Sequence, residues 1–121
     1  MKLLATPRFL KSIAPARRAE VLAAMKATGE SYGQPHLHAG LGLRRIRPFM
    51  ECRCGLDLRL IFQREGQTLV FHFCGTHDEV ESFLKNKGDR ESGRTLLWLE
   101  PIEEKWNRNA ARVRGSLKLE G

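Results

Sequence analysis

The stretch Leu56-Asp57-Leu58-Arg59-Leu60-Ile61-Phe62, near the middle of the chain, decides the fold. Apolar residues occupy its even-numbered positions, and successive side chains of a β-strand point to opposite faces of a sheet. The three leucines and Phe62 therefore share one face of a predicted strand, while Asp57 and Arg59 point the other way. One face is suited to a core and the other to polar chemistry.

A second strand follows after a short turn. Glu65-Gly66 predicts a hairpin, and residues 68–74 read Thr-Leu-Val-Phe-His-Phe-Cys. By the same alternation, the core face holds Leu69, Phe71 and Phe73, and the opposite face holds His72 and Cys74. The two strands form an antiparallel pair.

Two helices are predicted before these strands. Thr6-Pro7 is a helix N-cap followed by proline at the first helical position, so a short helix runs to about Ile13. A second helix covers residues 15–28 and ends at Gly29. We expect the two helices to pack as a hairpin on the sheet.

Three further elements complete the sequence prediction. Residues 43–54 form a strand that Pro48 interrupts, which is typical of an edge or a bulge. Thr76-His77-Asp78-Glu79 has the capping-box pattern, so a helix begins at His77. Residues 95–99 form a fourth strand, and residues 102–113 form a last helix.

The predicted fold class is α+β: an N-terminal helical hairpin packed on an antiparallel sheet of about four strands. At 121 residues the chain is expected to be a single domain spanning 1–121. Residues 93–121 add a C-terminal strand and helix extension whose role stays open.

The charge of the chain favours a polyanionic partner. It has 21 Lys and Arg residues against 14 Asp and Glu residues, a formal net charge of +7. Residues 44–64 contain only arginines among their basic residues, and the guanidinium fork matches the geometry of phosphate oxygens.

Cysteine usage points to a reducing compartment. The chain has three cysteines, an odd number for a disulfide framework, and its start does not resemble a signal peptide. No apolar run approaches the ~20 residues of a membrane span. We expect a soluble, cytoplasmic protein with no membrane partner.

The pairs His36-x-His38, Cys52-x-Cys54 and His72-x-Cys74 could bind zinc, but buried cysteines are favoured because the usual Cys-x-x-Cys spacing is absent.

Residues 51–63, Glu-Cys-Arg-Cys-Gly-Leu-Asp-Leu-Arg-Leu-Ile-Phe-Gln, followed by a hairpin and then Gly75-Thr76-His77-Asp78-Glu79-Val80, resemble the RelE/ParE superfamily of bacterial toxins. The stretch is most similar to the YafQ-like branch. The resemblance covers about residues 1–85 and stops before the tail.

This resemblance implies a metal-independent, cofactor-free endoribonuclease that cuts mRNA, commonly on the ribosome, and is silenced by a protein antitoxin. The ribose 2′-hydroxyl attacks its own phosphate once a base removes its proton, and an acid protonates the departing 5′-oxygen. His77 matches the branch's histidine and is implied as general acid; the alternative is a helix-entry histidine with no catalytic role. Asp57 matches a strand aspartate that orients a histidine or acts as base; the alternative is a solvated charge paired with Arg59.

Arg53 stands where the branch has another catalytic histidine. Because an arginine is no base near neutral pH, Arg53 and Arg59 are expected to stabilise the phosphorane charge. His38 is similar in position to a family histidine and is the preferred second proton-transfer group, with His36 as the alternative. The arginines of residues 44–47 either contact RNA phosphates or are solvated loop charges; they are Arg44, Arg45 and Arg47.

Two other functions stay open at this point. A ParE-like protein would inhibit DNA gyrase through its surface, and an inactive relative would only bind its antitoxin. The tail could add an edge strand, form a homodimer or provide an accessory RNA surface, with Trp98 and Trp106 as packing residues.

Overall fold

A computed structural model describes residues 1–34, 38–46, 48–86 and 96–108, and of residues 38 and 39 only the backbone. The strands are β1 (Lys2–Ala5), β2 (Arg44–Ile46), β3 (Phe49–Cys54), β4 (Leu58–Glu65), β5 (Thr68–Gly75) and β6 (Leu97–Trp98). The helices are α1 (Pro7–Ser12), α2 (Arg18–Ser31), α3 (His38–Leu41), α4 (His77–Asn86) and α5 (residues 99–108). A 3₁₀ turn, Pro15–Arg17, precedes α2. The α+β class is confirmed.

The described residues form one sheet of six strands, in the order β2-β3-β4-β5-β1-β6, where the sequence predicts about four. At Pro48 the chain folds back, so that β2 pairs antiparallel with β3 and Arg44 lies opposite Glu51. β1 pairs in parallel with β5, and β6 pairs antiparallel with β1. A four-residue strand whose partner lies far along the chain leaves no local pattern by which it could be recognised.

Both N-terminal helices pack on one side of the sheet, which we call the α1/α2 face. The Thr6 hydroxyl accepts a hydrogen bond from the Phe9 backbone N–H at 3.1 Å, as the predicted N-cap requires. Helix α1 packs against β5, and α2 packs against β3 and β1. The two helices thus pack against different strands of the sheet. The predicted hairpin between them is not confirmed. The core of this face includes Phe9, Val21, Met25, Cys52, Leu60, Phe62, Leu69 and Phe71.

Gly29 lies inside α2 and does not end it, contrary to the prediction. A Cβ atom at Gly29 would lie 3.2 Å from Cδ2 of Leu3, which is tighter than ordinary van der Waals contact. Glycine therefore lets α2 approach β1 closely, and the helix continues to Ser31.

A β-bulge in β5 reverses the facing of its last residues. Ile61 lies opposite Phe73 and Phe62 lies opposite Phe71, so His72 is the inserted residue. Cys74 then lies opposite Leu60 in the α1/α2 core. The predictions that Phe73 joins Phe71 and that Cys74 shares a face with His72 are wrong, because one inserted residue turns every later side chain over.

The other side of the sheet, the α4 face, receives the side chains that the bulge redirects. Phe73 stacks on Phe83 of α4, with 4.8 Å between ring centroids. Phe49 and Ile61 complete this smaller core together with Val80. His72 also lies on this face: its ring meets Phe49 edge-on and its Nε2 is 2.9 Å from Oε1 of Gln63. Helix α4 is thereby anchored on the strands.

The C-terminal segment adds an edge strand, one of the alternatives open from the sequence. β6 spans two residues, and α5 begins directly after it, earlier than predicted. Trp106 is partly buried against the α1/α2 core and lies 4.7 Å from the Arg18 guanidinium, whereas Trp98 is 55% exposed. Residues 95 and 109–113 of the predicted elements lie outside the described residues. Among the described helices, none combines the length and apolarity needed to cross a lipid bilayer.

All three cysteines are buried and unbridged. Cys52 contacts the Thr28 hydroxyl at 3.3 Å, and Cys54 approaches the Glu20 carbonyl at 3.6 Å. Burial raises the pKa of Cys52 and of Cys74 to about 12 and also raises the pKa of Cys54. The thiols therefore act as small apolar side chains of the core, as the sequence favours.

This burial predicts slow thiol chemistry in the native protein. At about pH 8, a disulfide reagent should label the folded chain more than about 100-fold more slowly than the chain in concentrated guanidinium chloride. Because the folded thiols hold their protons more tightly, the free energy of unfolding should fall as pH rises from about 9 to about 12. Fast labelling of any cysteine under native conditions would contradict this assignment.

Candidate functional site

Two arginines face each other across the sheet. Arg53 of β3 lies directly opposite Arg59 of β4, and both side chains belong to the α4 face by the alternation of their strands. Arg59 has one ion-pair partner among the described residues, the buried Glu51, whose Oε1 is 3.8 Å from Arg59 Nε. Directly opposed like charges destabilise a sheet, so one carboxylate for two guanidiniums leaves a site suited to a bound oxyanion.

Gly42 holds Arg53 at the edge of the sheet. Its φ is +61°, and a Cβ atom there would lie 2.9 Å from Arg53 Nε. The chain leaving α3 therefore runs directly along the Arg53 side chain. Helix α3 contacts α2 and β3, and its first residue is His38. The His38 side chain and the whole of His36 lie outside the described residues, so their distance from Arg53 is not defined.

His77 follows the end of β5. Gly75, the last residue of β5, lies opposite Arg59, and the capping box then starts α4 two residues later. The Thr76 backbone N–H donates to Oε1 of Glu79 at 2.8 Å, and the Glu79 N–H approaches the Thr76 hydroxyl at 3.4 Å. The predicted capping box is confirmed, and it sets where His77 leaves the sheet.

The His77 imidazole is accessible to a large ligand. Its side chain is 64% exposed, and its Nε2 lies 3.0 Å from Oε1 of Glu81, one turn further along α4. Asp78 brings a third exposed ligand-type atom within 4.8 Å of these two groups. Through Nε2, the His77 ring therefore contacts a neighbouring carboxylate on the exposed first turn of α4.

Asp57 is not placed with these groups. It lies in the turn between β3 and β4 rather than in a strand, and Leu56 beside it is fully exposed instead of sharing the core face of Leu58. Its carboxylate accepts hydrogen bonds from Nη1 and Nη2 of Arg17 at 2.9 and 2.8 Å. Arg17 also contacts Glu20, and it holds the pKa of Asp57 below its usual value. The partner is therefore Arg17 on the helical side, and not Arg59 as the alternative reading of the sequence supposed.

The remaining predicted phosphate contacts divide between the two faces. Arg44 lies opposite Glu51 and belongs to the α4 face, whereas Arg45 lies opposite Met50 and belongs to the α1/α2 face. Arg47 lies outside the described residues. The structure thus gathers Arg44, Arg53, Arg59 and the start of α4 on one side and separates Arg45 from them.

Two charged residues near the α4 face are not predicted from the sequence, Glu51 of β3 and Arg8 of α1. Glu51 lies two residues before Arg53 on β3, so strand alternation could have placed it on the same face, where it pairs with Arg59. The Arg8 guanidinium lies 4.8 Å from the Phe83 ring and 5.6 Å from the Phe73 ring. Only the tertiary structure brings Arg8 to α4.

Comparison with known proteins gives a structural relative but no sequence relative. No protein-family model and no curated protein matches the chain. YafQ from E. coli aligns in structure with 64% of this chain and 94% of its own, at 16% sequence identity and a TM-score of 0.50. The chain has the YafQ fold.

Two Helicobacter pylori structures also align with the chain, at lower TM-scores. A copper-bound mutant toxin is 18% identical, with 66% of this chain and 98% of that chain covered and a TM-score of 0.42. The conserved hypothetical protein HP0894 has the same identity and coverage and a TM-score of 0.41. The likeness to YafQ confirms the fold that the RelE/ParE resemblance implies.

The position of His77 should depend on Gly75. A Cβ atom at Gly75 would lie 2.8 Å from Cε2 of Phe73 and 2.9 Å from Cβ of Glu79, closer than real contacts allow. We expect Gly75→Ala to lower the free energy of unfolding by roughly 1–3 kcal/mol, measured by urea denaturation. Gly33→Ala is the matched control, because its Cβ would lie 3.6 Å from the nearest atom, the Glu30 carbonyl oxygen. Equal stability of the two variants would contradict the close approach at Gly75.

The Arg17–Asp57 ion pair should stabilise the protein in a pH-dependent way. Because the pKa of Asp57 is lowered in the folded state, its contribution is present at neutral pH and is lost as pH falls through that lowered pKa. Asp57→Asn should lower the Tm at about pH 7, and this difference should shrink as acid protonates Asp57. Arg17→Gln, which also removes the contact with Glu20, should lower the Tm at about pH 7 at least as much and lose its effect in acid in the same way. A Tm difference that persists in acid would exclude the ion pair as its cause.

Proposed function

We propose that the protein is the toxin of a type II toxin–antitoxin system, a metal-independent endoribonuclease that cleaves mRNA on the ribosome and so inhibits translation in the cytoplasm. One observation carries the proposal: in a YafQ-like fold, Arg53 and Arg59 lie opposite each other on the α4 face. Gly75 lies opposite Arg59 at the end of β5, and the exposed His77 follows two residues later.

The geometry supports a division of labour between these groups. When the 2′-hydroxyl attacks the adjacent phosphate, negative charge develops on the equatorial oxygens, where two guanidiniums can stabilise it. His77 then protonates the departing 5′-oxygen, which leaves a 2′,3′-cyclic phosphate and a 5′-hydroxyl. This chemistry balances with the groups of the protein and the RNA alone.

The group that accepts the 2′-hydroxyl proton is assigned to His38. Asp57 is a weaker choice, because both of its carboxylate oxygens already accept hydrogen bonds from Arg17 and its lowered pKa makes it a poor base. Helix α3, which begins at His38, lies beside β3 and leads into the chain that touches Arg53.

An acidic antitoxin is the proposed protein partner. The chain has a formal net charge of +7, and Arg44, Arg53 and Arg59 share one face with the single buried Glu51 among the described residues of β2 to β4. An acidic segment that covers this face would neutralise the residues that contact RNA. Antitoxin binding and RNA binding would then exclude each other.

Cleavage is tested by expressing the protein alone from a tightly controlled promoter and mapping RNA ends before and after induction. New ends should carry 5′-hydroxyls, and His77→Ala should slow cleavage by about 10²–10⁴-fold, the range of general acid–base catalysis. Lys85→Ala is the control, since Lys85 is exposed in the last turn of the same helix. His38→Ala in the same assay tests the base.

The outcomes separate the candidate functions. Full cleavage by His77→Ala would remove the assigned acid. Growth arrest with intact transcripts and accumulating DNA damage would replace the proposal with ParE-like gyrase inhibition, and harmless expression would indicate a member that only binds its antitoxin.

A further inference from the structure

A second basic site lies at the far end of the sheet from Arg59. It is a pocket of about 300 Å³ beside the turn between β2 and β3, just past the end of α2. The described residues that line it are Tyr32, Arg45, Pro48, Phe49, Met50 and Arg64. We call it the Tyr32–Arg64 pocket. None of the roles assigned above to His77, Arg53 or Arg59 uses it.

The charge of the pocket is positive and uncompensated. Two of its described lining residues, Arg45 and Arg64, are basic, and none is acidic. Among the described residues, no carboxylate lies within ion-pair distance of either guanidinium. Two arginines with no carboxylate partner are suited to an oxyanion of a ligand.

The arginines of the pocket stand beside apolar and aromatic surface. The Arg64 guanidinium lies 4.9 Å from the Tyr32 ring, and its Nε donates to the Gly66 carbonyl at 3.1 Å, which holds it in place. Met50 and Pro48 add apolar surface. An aromatic ring, apolar walls and two guanidiniums together match a nucleotide, with its base on the apolar side and its phosphate on the arginines.

The edge strand β2 joins this pocket to the candidate site. Arg59 and Arg64 are five residues apart on β4, about 17 Å along a strand, and the odd separation puts them on opposite faces. Arg44 and Arg45 of β2 divide in the same way, Arg44 to the α4 face and Arg45 to the pocket. A single strand of RNA that leaves the arginine pair and crosses this edge would meet Arg44 on one face and Arg45 on the other.

We propose that the Tyr32–Arg64 pocket binds a nucleotide of the substrate RNA at a distance from the cleaved bond, with its phosphate on Arg45 and Arg64 and its base against Tyr32 and Met50. This inference rests on the proposed function, since it assigns a further part of the same RNA. The pocket sets affinity for RNA and leaves the chemical step to the groups on the α4 face.

Binding is tested directly with adenosine 5′-monophosphate, followed by NMR of the isotope-labelled full chain. Shifts should cluster at Tyr32, Met50 and Arg64. Arg45→Gln and Arg64→Gln should each weaken binding by about tenfold, the value of one lost charge-assisted hydrogen bond. Lys11→Gln, which removes one exposed charge from α1, is the matched control and should leave the affinity unchanged.

Three further probes identify what the pocket recognises. Inorganic phosphate and adenosine should each bind more weakly than the nucleotide, because each offers one half of the contacts. A glutamate-rich peptide that binds this pocket while the nucleotide does not would overturn the proposal in favour of a protein partner. Shifts scattered over the surface, or binding unaffected by both glutamine variants, would also overturn it.

A kinetic readout separates this inference from the proposed function. In the RNA cleavage assay, Arg64→Gln should raise KM by about tenfold and keep kcat within about twofold of the original, because the contact is made equally in the ground and transition states. Nucleotide binding at the pocket without any cleavage would reject the proposed enzyme and keep the pocket. Cleavage with unchanged KM and no nucleotide binding would reject the pocket alone.

Discussion

The bulge at His72 is the constraint on which the arrangement of the rest of the structure depends. Before it, Phe71 points into the core under α1 and α2; after it, Phe73 points to the other side and stacks on Phe83. In a regular strand, Phe73 would point into the core of the α1/α2 face. It would then no longer stack on Phe83 of α4. The capping box that presents His77 would then start from a different place, so the bulge links core packing to the candidate site.

The two candidate binding sites lie where arginine side chains have few or no carboxylate partners. Asp57 and Glu20 both bind Arg17, and this network ties the turn between β3 and β4 to the start of α2. Arg59 pairs with the buried Glu51, and among the described residues no carboxylate pairs with Arg53, Arg45 or Arg64. Some arginines of this basic chain are thus held in structural ion pairs, while others leave positive charge at two sites that have room for a phosphate.

The candidate site could be predicted in part because some of its geometry is local. The capping box sets the start of α4 from four consecutive residues, and strand alternation puts Arg53 and Arg59 on one face. Asp57 was assigned to the same face because the apolar alternation extends back to Leu56, yet Gly55 turns the chain with a φ of +67° and frees both residues from the strand. The carboxylate then binds Arg17, a partner forty residues away that local pattern does not identify.

The amino-acid sequence by itself determined the local elements of this protein: the β4–β5 hairpin, the break at Pro48, the caps of α1 and α4, and three cysteines suited to a core. Each follows from interactions within a few residues, where backbone propensity and side-chain alternation dominate. The tertiary structure decided the parallel pairing of β1 with β5, the bulge at His72, the continuation of α2 through Gly29 and the ion-pair partner of Asp57. These features depend on contacts between distant segments, whose free energy is gained only when the whole core packs at once.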